Sequence, residues 1–143
     1  MTGLFQDTGS LILNQLSPDY LKYYKLSFYR PFSVLEHEKK LFGVNHAVIS
    51  YLFAKHWQLP EAVCFAIYNS HIDNLSEMSH SEVRALVSAL RIANHTIGEN
   101  LFPKSIFESE ATPSVGSAYL EAMVEISILS ESIVDIRESL DLH

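Results

Sequence analysis

Two histidines, an asparagine and an aspartate stand where a helical protein could bring them together. His46 follows the helical spacing of large apolar residues in its segment, and His71 does so in the next predicted helix. Asn94 lies on the apolar stripe of a later helix, and the carboxylate of Asp7 lies near the N-terminus. Imidazole and carboxylate groups are common ligands of catalytic divalent metals. This set indicates a metal-dependent hydrolase, with Asp7, His46 and His71 as its ligands.

The same set contains two weak ligands. Gln6 precedes Asp7, and Asn94 carries a neutral amide where a strong metal site would carry a carboxylate. Buried imidazoles and amides can also satisfy their polar atoms with hydrogen bonds alone. The residues therefore leave two readings open: a metal site, or a buried polar network that ties helices together.

Composition and charge narrow the function classes. The formal net charge of -7 argues against binding a nucleic-acid backbone or an anionic membrane surface, which need clustered Lys and Arg. The single cysteine, Cys64, excludes an internal disulfide and is expected to be a small buried hydrophobe in a reducing cytosol. No apolar run reaches the roughly 18 residues of a membrane span, and no basic segment typical of a signal peptide opens the chain. We expect a soluble cytoplasmic domain.

Hydrophobic spacing, caps and breakers predict an all-α fold: a compact bundle of about seven helices. Pro31 separates two helices, Ser33 and Glu36 form a capping box, Asn45 caps the next helix, and Gly98 closes the longest one. The whole chain is expected to form a single domain. The predicted helices cover about residues 2–16, 17–29, 33–43, 46–57, 60–71 and 79–97, then, after an irregular connection at 100–112, residues 114–125 and a stretch from 130.

Three short runs carry a resemblance to a known family. Residues 3–13, GLFQDTGSLIL, resemble the GLLHDIG-x-L-x-L helix of HD-superfamily proteins. Residues 42–47, FGVNHA, followed by WQLP at 57–60, resemble the FG-x-DHA…W-x-LP stretch of the HDOD family, the HD-related output domains of bacteria. Residues 66–71, AIYNSH, resemble that family's AI-x-x-HH, and the helix of Asn94 is similar to the one that bears the last superfamily aspartate. The resemblance runs from about Gly3 to Gly98, so residues 1–100 are expected to form the core and 101–143 a C-terminal helical extension.

The resemblance implies a helical fold derived from metal-dependent phosphohydrolases, some of which cleave cyclic di-GMP. HDOD proteins have generally lost the metal ligands and are thought to serve as non-enzymatic signalling modules. In this chain Gln6 replaces the histidine of the HD doublet, Ser70 replaces one histidine of the HH doublet, and Asn94 replaces the last aspartate. Only Asp7, His46 and His71 remain of the ligand set. The resemblance therefore implies a vestigial polar network at Gln6, Asp7, His46, Ser70, His71 and Asn94, with no catalytic residue, no metal and no other cofactor.

In the family, several helices precede the HD helix and supply part of the bundle wall. The chain begins directly before that motif, so we expect it to lack this covering layer. Large exposed apolar patches usually find a partner surface. We therefore expect a homodimer through the first helix, with contacts from Leu4, Phe5, Leu11, Ile12 and Leu13.

Two functions of different classes follow. The first is a non-catalytic module of bacterial signal transduction that binds protein partners. The alternative is a divergent metal-dependent phosphohydrolase that acts on a phosphate ester or cyclic dinucleotide with Fe, Mn or Zn held by Asp7, His46 and His71. Besides these, an adaptor bundle outside the family or a ligand sensor remains open; the sensor would use the aromatic residues Tyr20, Tyr23, Tyr24, Phe28 and Tyr29.

The other histidines are expected to carry no function. His37 lies among the charged residues Glu36, Glu38, Lys39 and Lys40, a pattern typical of a solvated helix face.

Overall fold

Helices make up all the regular structure in the computed structural model, which describes residues 1–28, 31–71, 74–101 and 123–127. A 3₁₀ turn at Leu75–Glu77 precedes the last numbered helix, and residues 123–127 form a further helical stretch. No strand occurs in these ranges, so the prediction of an all-α bundle is confirmed. The numbered helices are α1 (Thr2–Phe5), α2 (Thr8–Leu16), α3 (Tyr20–Ser27), α4 (Pro31–Phe42), α5 (His46–His56), α6 (Glu61–Tyr68) and α7 (Ser81–Leu101).

The first predicted helix is in fact two. Gln6 keeps helical backbone angles as the C-cap of α1, but the chain leaves helical geometry at Asp7, so the single helix predicted for residues 2–16 is wrong. Asp7 becomes the N-cap residue of α2, with φ of -102° and ψ of 5°. The break turns the side chains of Gln6 and Asp7 in different directions, which matters for the site.

Two other predicted boundaries are also wrong. Pro31 lies between α3 and α4 as predicted, but α4 begins at Pro31 itself and not at Ser33, because the fixed φ and missing N–H of proline suit the first helical position. Ser33 and Glu36 therefore lie inside the helix and form no capping box. Gly98 does not end α7, which continues to Leu101. At Gly98 a Cβ atom would lie 3.2 Å from the Cβ of Phe28, so the glycine allows α7 to approach that side chain closely.

The ends of α5 agree with the sequence motif around them. The Asn45 side chain accepts a hydrogen bond from the backbone N–H of Val48 at 3.0 Å, which confirms the predicted cap. At the other end, Gln58 takes a left-handed conformation with φ of 56°. Its N–H donates to Lys55 O, and the N–H of Leu59 donates to Ala54 O, each at 3.0 Å. This is a Schellman motif, and it returns the chain toward α6.

Buried apolar side chains form two clusters. One joins α6 and α7 through the 3₁₀ turn, and it contains Ala66, Leu75, Met78, Val83 and Val87. The other joins α5 to α6 and contains Ala54, Cys64 and Ile67. Cys64 is fully buried and forms no disulfide, as predicted for a single cysteine that serves as a small hydrophobe. Within the described residues no helix combines the length and the apolar character that crossing a bilayer requires.

The predicted connection at 100–112 and the predicted C-terminal helices at 114–125 and from 130 lie largely outside the described residues. Residues 123–127 are helical, and Glu125 accepts a hydrogen bond from Arg84 Nε at 2.6 Å. This ion pair ties the helical stretch to α7.

Backbone contact between α2 and α5 depends on a residue without a side chain. A Cβ atom at Gly9 would lie 2.1 Å from the carbonyl oxygen of His46 and 2.9 Å from its Cα atom. Backbone atoms at a helix start cannot move aside without displacing the whole element. Gly9 therefore sets how closely α2 approaches the N-terminus of α5.

We predict that Gly9→Ala lowers the free energy of unfolding by at least about 2 kcal/mol, because the added methyl group overpacks a backbone contact. Chemical denaturation of the purified variant measures this. Gly3→Ala is the matched control, since a Cβ atom there meets nothing within 4 Å. The control is expected to be neutral or stabilised by up to about 1 kcal/mol through helix propensity. Equal stabilities of the two variants would contradict the close approach.

Candidate functional site

The interior of the helical bundle holds a carboxylate that the sequence did not reveal. Glu38 of α4 is fully buried, so the prediction that it lies on a solvated face is wrong. The Tyr20 hydroxyl donates to Glu38 Oε1 at 2.6 Å, and the backbone N–H of His46 donates to Oε2 at 2.8 Å. The His46 ring adds Nδ1, which lies 2.8 Å from Oε2 and 2.9 Å from Oε1. Glu38 thus joins α3, α4 and the start of α5.

These hydrogen-bond donors determine the ionisation state of the Glu38 carboxyl group. Burial alone would raise the pKa of Glu38, but the hydrogen bond and charge of His46, the Tyr20 hydroxyl and the His46 N–H together hold it below its usual range. Burial and the hydrogen bond to Glu38 raise the pKa of Tyr20 far above its ordinary value. Glu38 is therefore a carboxylate and Tyr20 a neutral phenol at physiological pH. Ser10 Oγ lies 3.1 Å from the Tyr20 oxygen and extends the chain of hydrogen bonds into α2.

His46 and His71 meet through their outer ring nitrogens. His46 is 1% exposed, and its Nε2 lies 2.9 Å from Nε2 of His71. The Glu38 carboxylate can only accept, so Nδ1 of His46 carries a proton, and one hydrogen bond joins the two Nε2 atoms, with one ring donating and the other accepting. Burial, with the charges of His46 and Arg91, lowers the pKa of His71 to about 3. His71 is therefore neutral at physiological pH.

The two amides of the predicted network pair with each other. Gln6 Nε2 donates to Asn94 Oδ1 at 2.9 Å, and Asn94 Nδ2 donates to Gln6 Oε1 at 3.2 Å. This reciprocal pair connects the end of α1 to α7 across 88 residues of sequence. Each side-chain amide thus donates one N–H to the other and accepts one hydrogen bond through its oxygen.

Ser50 of α5 bridges the break between α1 and α2. Its hydroxyl donates to the carbonyl of Gln6 and accepts from the N–H of Gly9, both at 2.8 Å. The two backbone groups lie where helix ends leave polar atoms without helical partners. The fully buried Ser50 therefore holds Gln6 and Asp7 at the surface of α5.

Asp7 and Ser70 stand apart from these contacts. Asp7 is half-buried, and burial raises its pKa against the opposing effects of the His46 charge and the Tyr24 hydroxyl. Its carboxylate makes no side-chain capping bond to α2. The Ser70 hydroxyl donates to Ile67 O at 2.9 Å, a contact within its own turn. The structure therefore brings together Gln6 with Asn94 and His46 with His71, whereas the Asp7 side chain bonds to Tyr24 and the Ser70 hydroxyl bonds within its own turn.

The residues present do not fit the metal centre that the family implies. Within the described ranges no three His, Cys, Asp or Glu side chains lie close enough to hold an ion. Gln6 and Asn94, at two positions where the resemblance implies ligands, are neutral amides and bond to each other. Glu38 is close to the histidines but accepts from three donors and is turned toward Nδ1 rather than toward the outer nitrogens. No reaction step through a metal follows from this arrangement.

Two predictions about side-chain exposure are corrected. Leu13, named for self-association, is fully buried and takes no part in a surface. Phe5 of the same set packs against the α5–α6 cluster and contacts Trp57 with ring centroids 6.1 Å apart. Leu4 and Leu11 are exposed by 82% and 69%, and Ile12 is partly exposed.

His37 is partly buried and its ring stacks on that of Tyr23 with centroids 4.1 Å apart, so its predicted place on a solvated face is also wrong.

Sequence reasoning missed the contributions of Glu38, Tyr20 and Ser50. For Glu38 a signal existed: it lies four residues after the buried Val34 and four before Phe42, on one face of a helix. A charged residue inside an apolar stripe indicates a buried partner. For Ser50 no comparable signal existed, because serine is tolerated in both exposed and buried positions of helices.

Comparison with known families identifies the family of this chain. The model of the HDOD domain family matches residues 1–72. Since this match covers half of the chain, the protein belongs to the HDOD domain family. Searches of curated proteins and of solved structures found no match.

Proposed function

We propose that this HDOD protein is a non-catalytic module of bacterial cytoplasmic signal transduction, which acts by binding proteins. Its former metal pocket serves to hold helices in register. The observation that carries this proposal is the Gln6–Asn94 amide pair, in which two neutral side chains occupy ligand positions and bond to each other.

The state of the remaining donors supports the same proposal. A metal-activated water requires an ion held strongly with an open coordination position. The His46 and His71 nitrogens are directed at each other at hydrogen-bond distance, and Asp7 forms no close group with them. Each remaining side chain that could ligate a metal strongly is thus hydrogen-bonded within the protein or separated from the others.

The alternative is a divergent metal-dependent phosphohydrolase, and one observation favours it. In metal sites a carboxylate often accepts from the inner nitrogen of a histidine and orients its outer nitrogen toward the ion. Glu38 and His46 have this relation. The alternative would use Asp7, His46 and His71 as ligands, and metal content separates it from the main proposal.

We predict that protein purified from cells supplied with Fe, Mn and Zn contains far less than one ion per chain and does not hydrolyse bis-p-nitrophenyl phosphate or cyclic di-GMP. The physical reason is the shortage of charged donors around the imidazole pair. Elemental analysis of the purified chain and a hydrolysis assay measure both outcomes.

The matched control is the double variant Gln6→His with Asn94→Asp, which supplies an imidazole and a carboxylate at the two amide positions. It is expected to retain more metal than the native chain. Stoichiometric metal in the native chain, with hydrolysis that His71→Gln abolishes, would establish the alternative instead.

Self-association through α1 and α2 is the second part of the proposal. Leu4 and Leu11 are largely exposed on this surface, and Leu16 beyond them is 67% exposed. At about 25 cal/mol per Å² of apolar area, covering such a surface contributes several kcal/mol to a dimer. A second copy of the chain provides the same apolar surface, and this apolar contact does not need a partner of opposite net charge.

We predict a homodimer at micromolar concentration that becomes monomeric in the Leu4→Glu/Leu11→Glu variant, because two carboxylates would be buried without partners. Size-exclusion chromatography with light scattering measures the mass. Leu52→Glu is the control, since Leu52 is 58% exposed on α5. A native chain that elutes as a monomer, or a Leu52→Glu variant that dissociates equally, would contradict the proposed surface.

A further inference from the structure

A cavity of about 210 Å³ lies between the α1–α2 break and α3. Leu4 and Leu11 of the proposed dimer surface form its outer edge, but its interior has no role in the proposed signalling function. Its apolar side chains face inward from two helices and the turn between them, and Asp7 lies among them. The residues that matter here are Leu4, Asp7, Leu11, Tyr20, Leu21 and Tyr24.

The size of the cavity suits a small molecule. An apolar cavity of roughly 150 Å³ is enough to hold a benzene ring. The space beside Asp7 is therefore large enough for one aromatic ring or a short branched alkyl chain with a polar head group. Leu4, Leu11 and Leu21 are each at least 50% exposed, so the cavity is accessible from solvent at this edge.

The Asp7 carboxylate has two partners in its surroundings: the Tyr24 hydroxyl bonds to it, and the charge of His46 acts on it. None of the described residues that line the cavity carries a positive charge. The carboxylate does not cap α2 through its side chain, although it stands at the positive end of that helix. A half-buried carboxylate gains most from a partner that brings positive charge and hydrogen-bond donors.

The aromatic walls favour the same class of partner. Tyr24 places its hydroxyl toward Asp7, and the rings of Tyr20 and Tyr24 line the cavity. Tyrosine faces attract ammonium groups, and their ring surface packs against apolar groups. The walls and the carboxylate together thus match an amphipathic cation.

We infer that the cavity between α2 and α3 binds a small free organic ammonium, with its charged head on Asp7 and its apolar body against Leu4, Leu11 and the tyrosine rings. The occupant is a free amine rather than an anion, because the described residues that line the cavity present a carboxylate and no cationic side chain. This binding site is independent of the Gln6–Asn94 and His46–His71 contacts.

The test uses three probes of similar size and different charge: 2-phenylethylamine, 2-phenylethanol and phenylacetate. Titration of the full chain, followed by NMR shifts of the Tyr24 and Leu11 signals, is expected to give binding of the amine at least about tenfold tighter than of the alcohol, a preference that corresponds to about 1.4 kcal/mol. Phenylacetate is expected to show no binding. Equal affinity for amine and alcohol, or no binding of the amine, overturns the proposal.

Two variants locate the binding. Asp7→Asn, which keeps the side-chain shape, is expected to abolish the preference for the amine over the alcohol. Asp19→Asn is the matched control, because its carboxylate is 76% exposed, pairs with Lys22 and does not line the cavity. Leu11→Trp, which fills the cavity without removing the carboxylate, is expected to weaken both the amine and the alcohol. Amine binding unchanged in Asp7→Asn and in Leu11→Trp places the ligand elsewhere and overturns the proposal.

The cavity and the proposed dimer surface share Leu4 and Leu11, so light scattering is measured with and without the amine. The expected result is a dimer that binds the amine. A dimer that does not bind the amine overturns the ligand proposal and leaves the signalling proposal intact, whereas a monomer that binds the amine contradicts self-association and leaves the ligand proposal intact. The two proposals can therefore fail separately.

Discussion

A carboxylate without access to water governs how the first half of this bundle is assembled. Glu38 has no solvent exposure and retains its charge only because Tyr20 and both the backbone and the ring of His46 donate to it. A buried charge without such donors would cost several kcal/mol. Since the donors belong to α3 and α5 while Glu38 belongs to α4, these three helices must keep their relative positions for the charge to be satisfied.

The other polar contacts follow from that arrangement. With His46 held by Glu38, its carbonyl lies against Gly9, and its outer nitrogen reaches His71. Ser50, one turn further along α5, fixes the break that separates Gln6 from Asp7. Gln6 then pairs with Asn94, whereas the Asp7 carboxylate lines the cavity beside α3. The same break thus separates two neighbouring side chains, with Gln6 in a contact between helices and Asp7 in the cavity.

Part of this structure could be predicted from the sequence. Helical spacing was sufficient for the all-α class, and Asn45 followed by an apolar run was sufficient for the start of α5, because both depend on local physics. His46, His71 and Asn94 are predicted to need partners because they are polar groups on apolar stripes, and each bonds to another polar side chain in the structure. Which partners they take depends on contacts across as many as 88 residues, so the pairings themselves could not be predicted.

The wrong predictions also concern features that depend on contacts between helices. Glu38 was assigned to solvent from the charged residues around it, although its buried position depends on donors from two other helices. Leu13 was grouped with the exposed leucines of one continuous helix, but the break before α2 changes the direction of its face, and Leu13 is fully buried. The end of α7 was placed at Gly98 because glycine often ends helices, whereas here it allows contact with Phe28.

The central claim is that the Glu38 carboxylate holds α3, α4 and α5 together, and the stability of Glu38→Gln tests it most directly. Glutamine keeps the shape but replaces one acceptor with an amide donor, so at least one buried donor loses its partner. Equilibrium denaturation should show a loss of at least about 2 kcal/mol, whereas Glu36→Gln, on the exposed side of the same helix, should change stability by less than about 0.5 kcal/mol. A Glu38→Gln chain as stable as the Glu36→Gln chain would contradict the account.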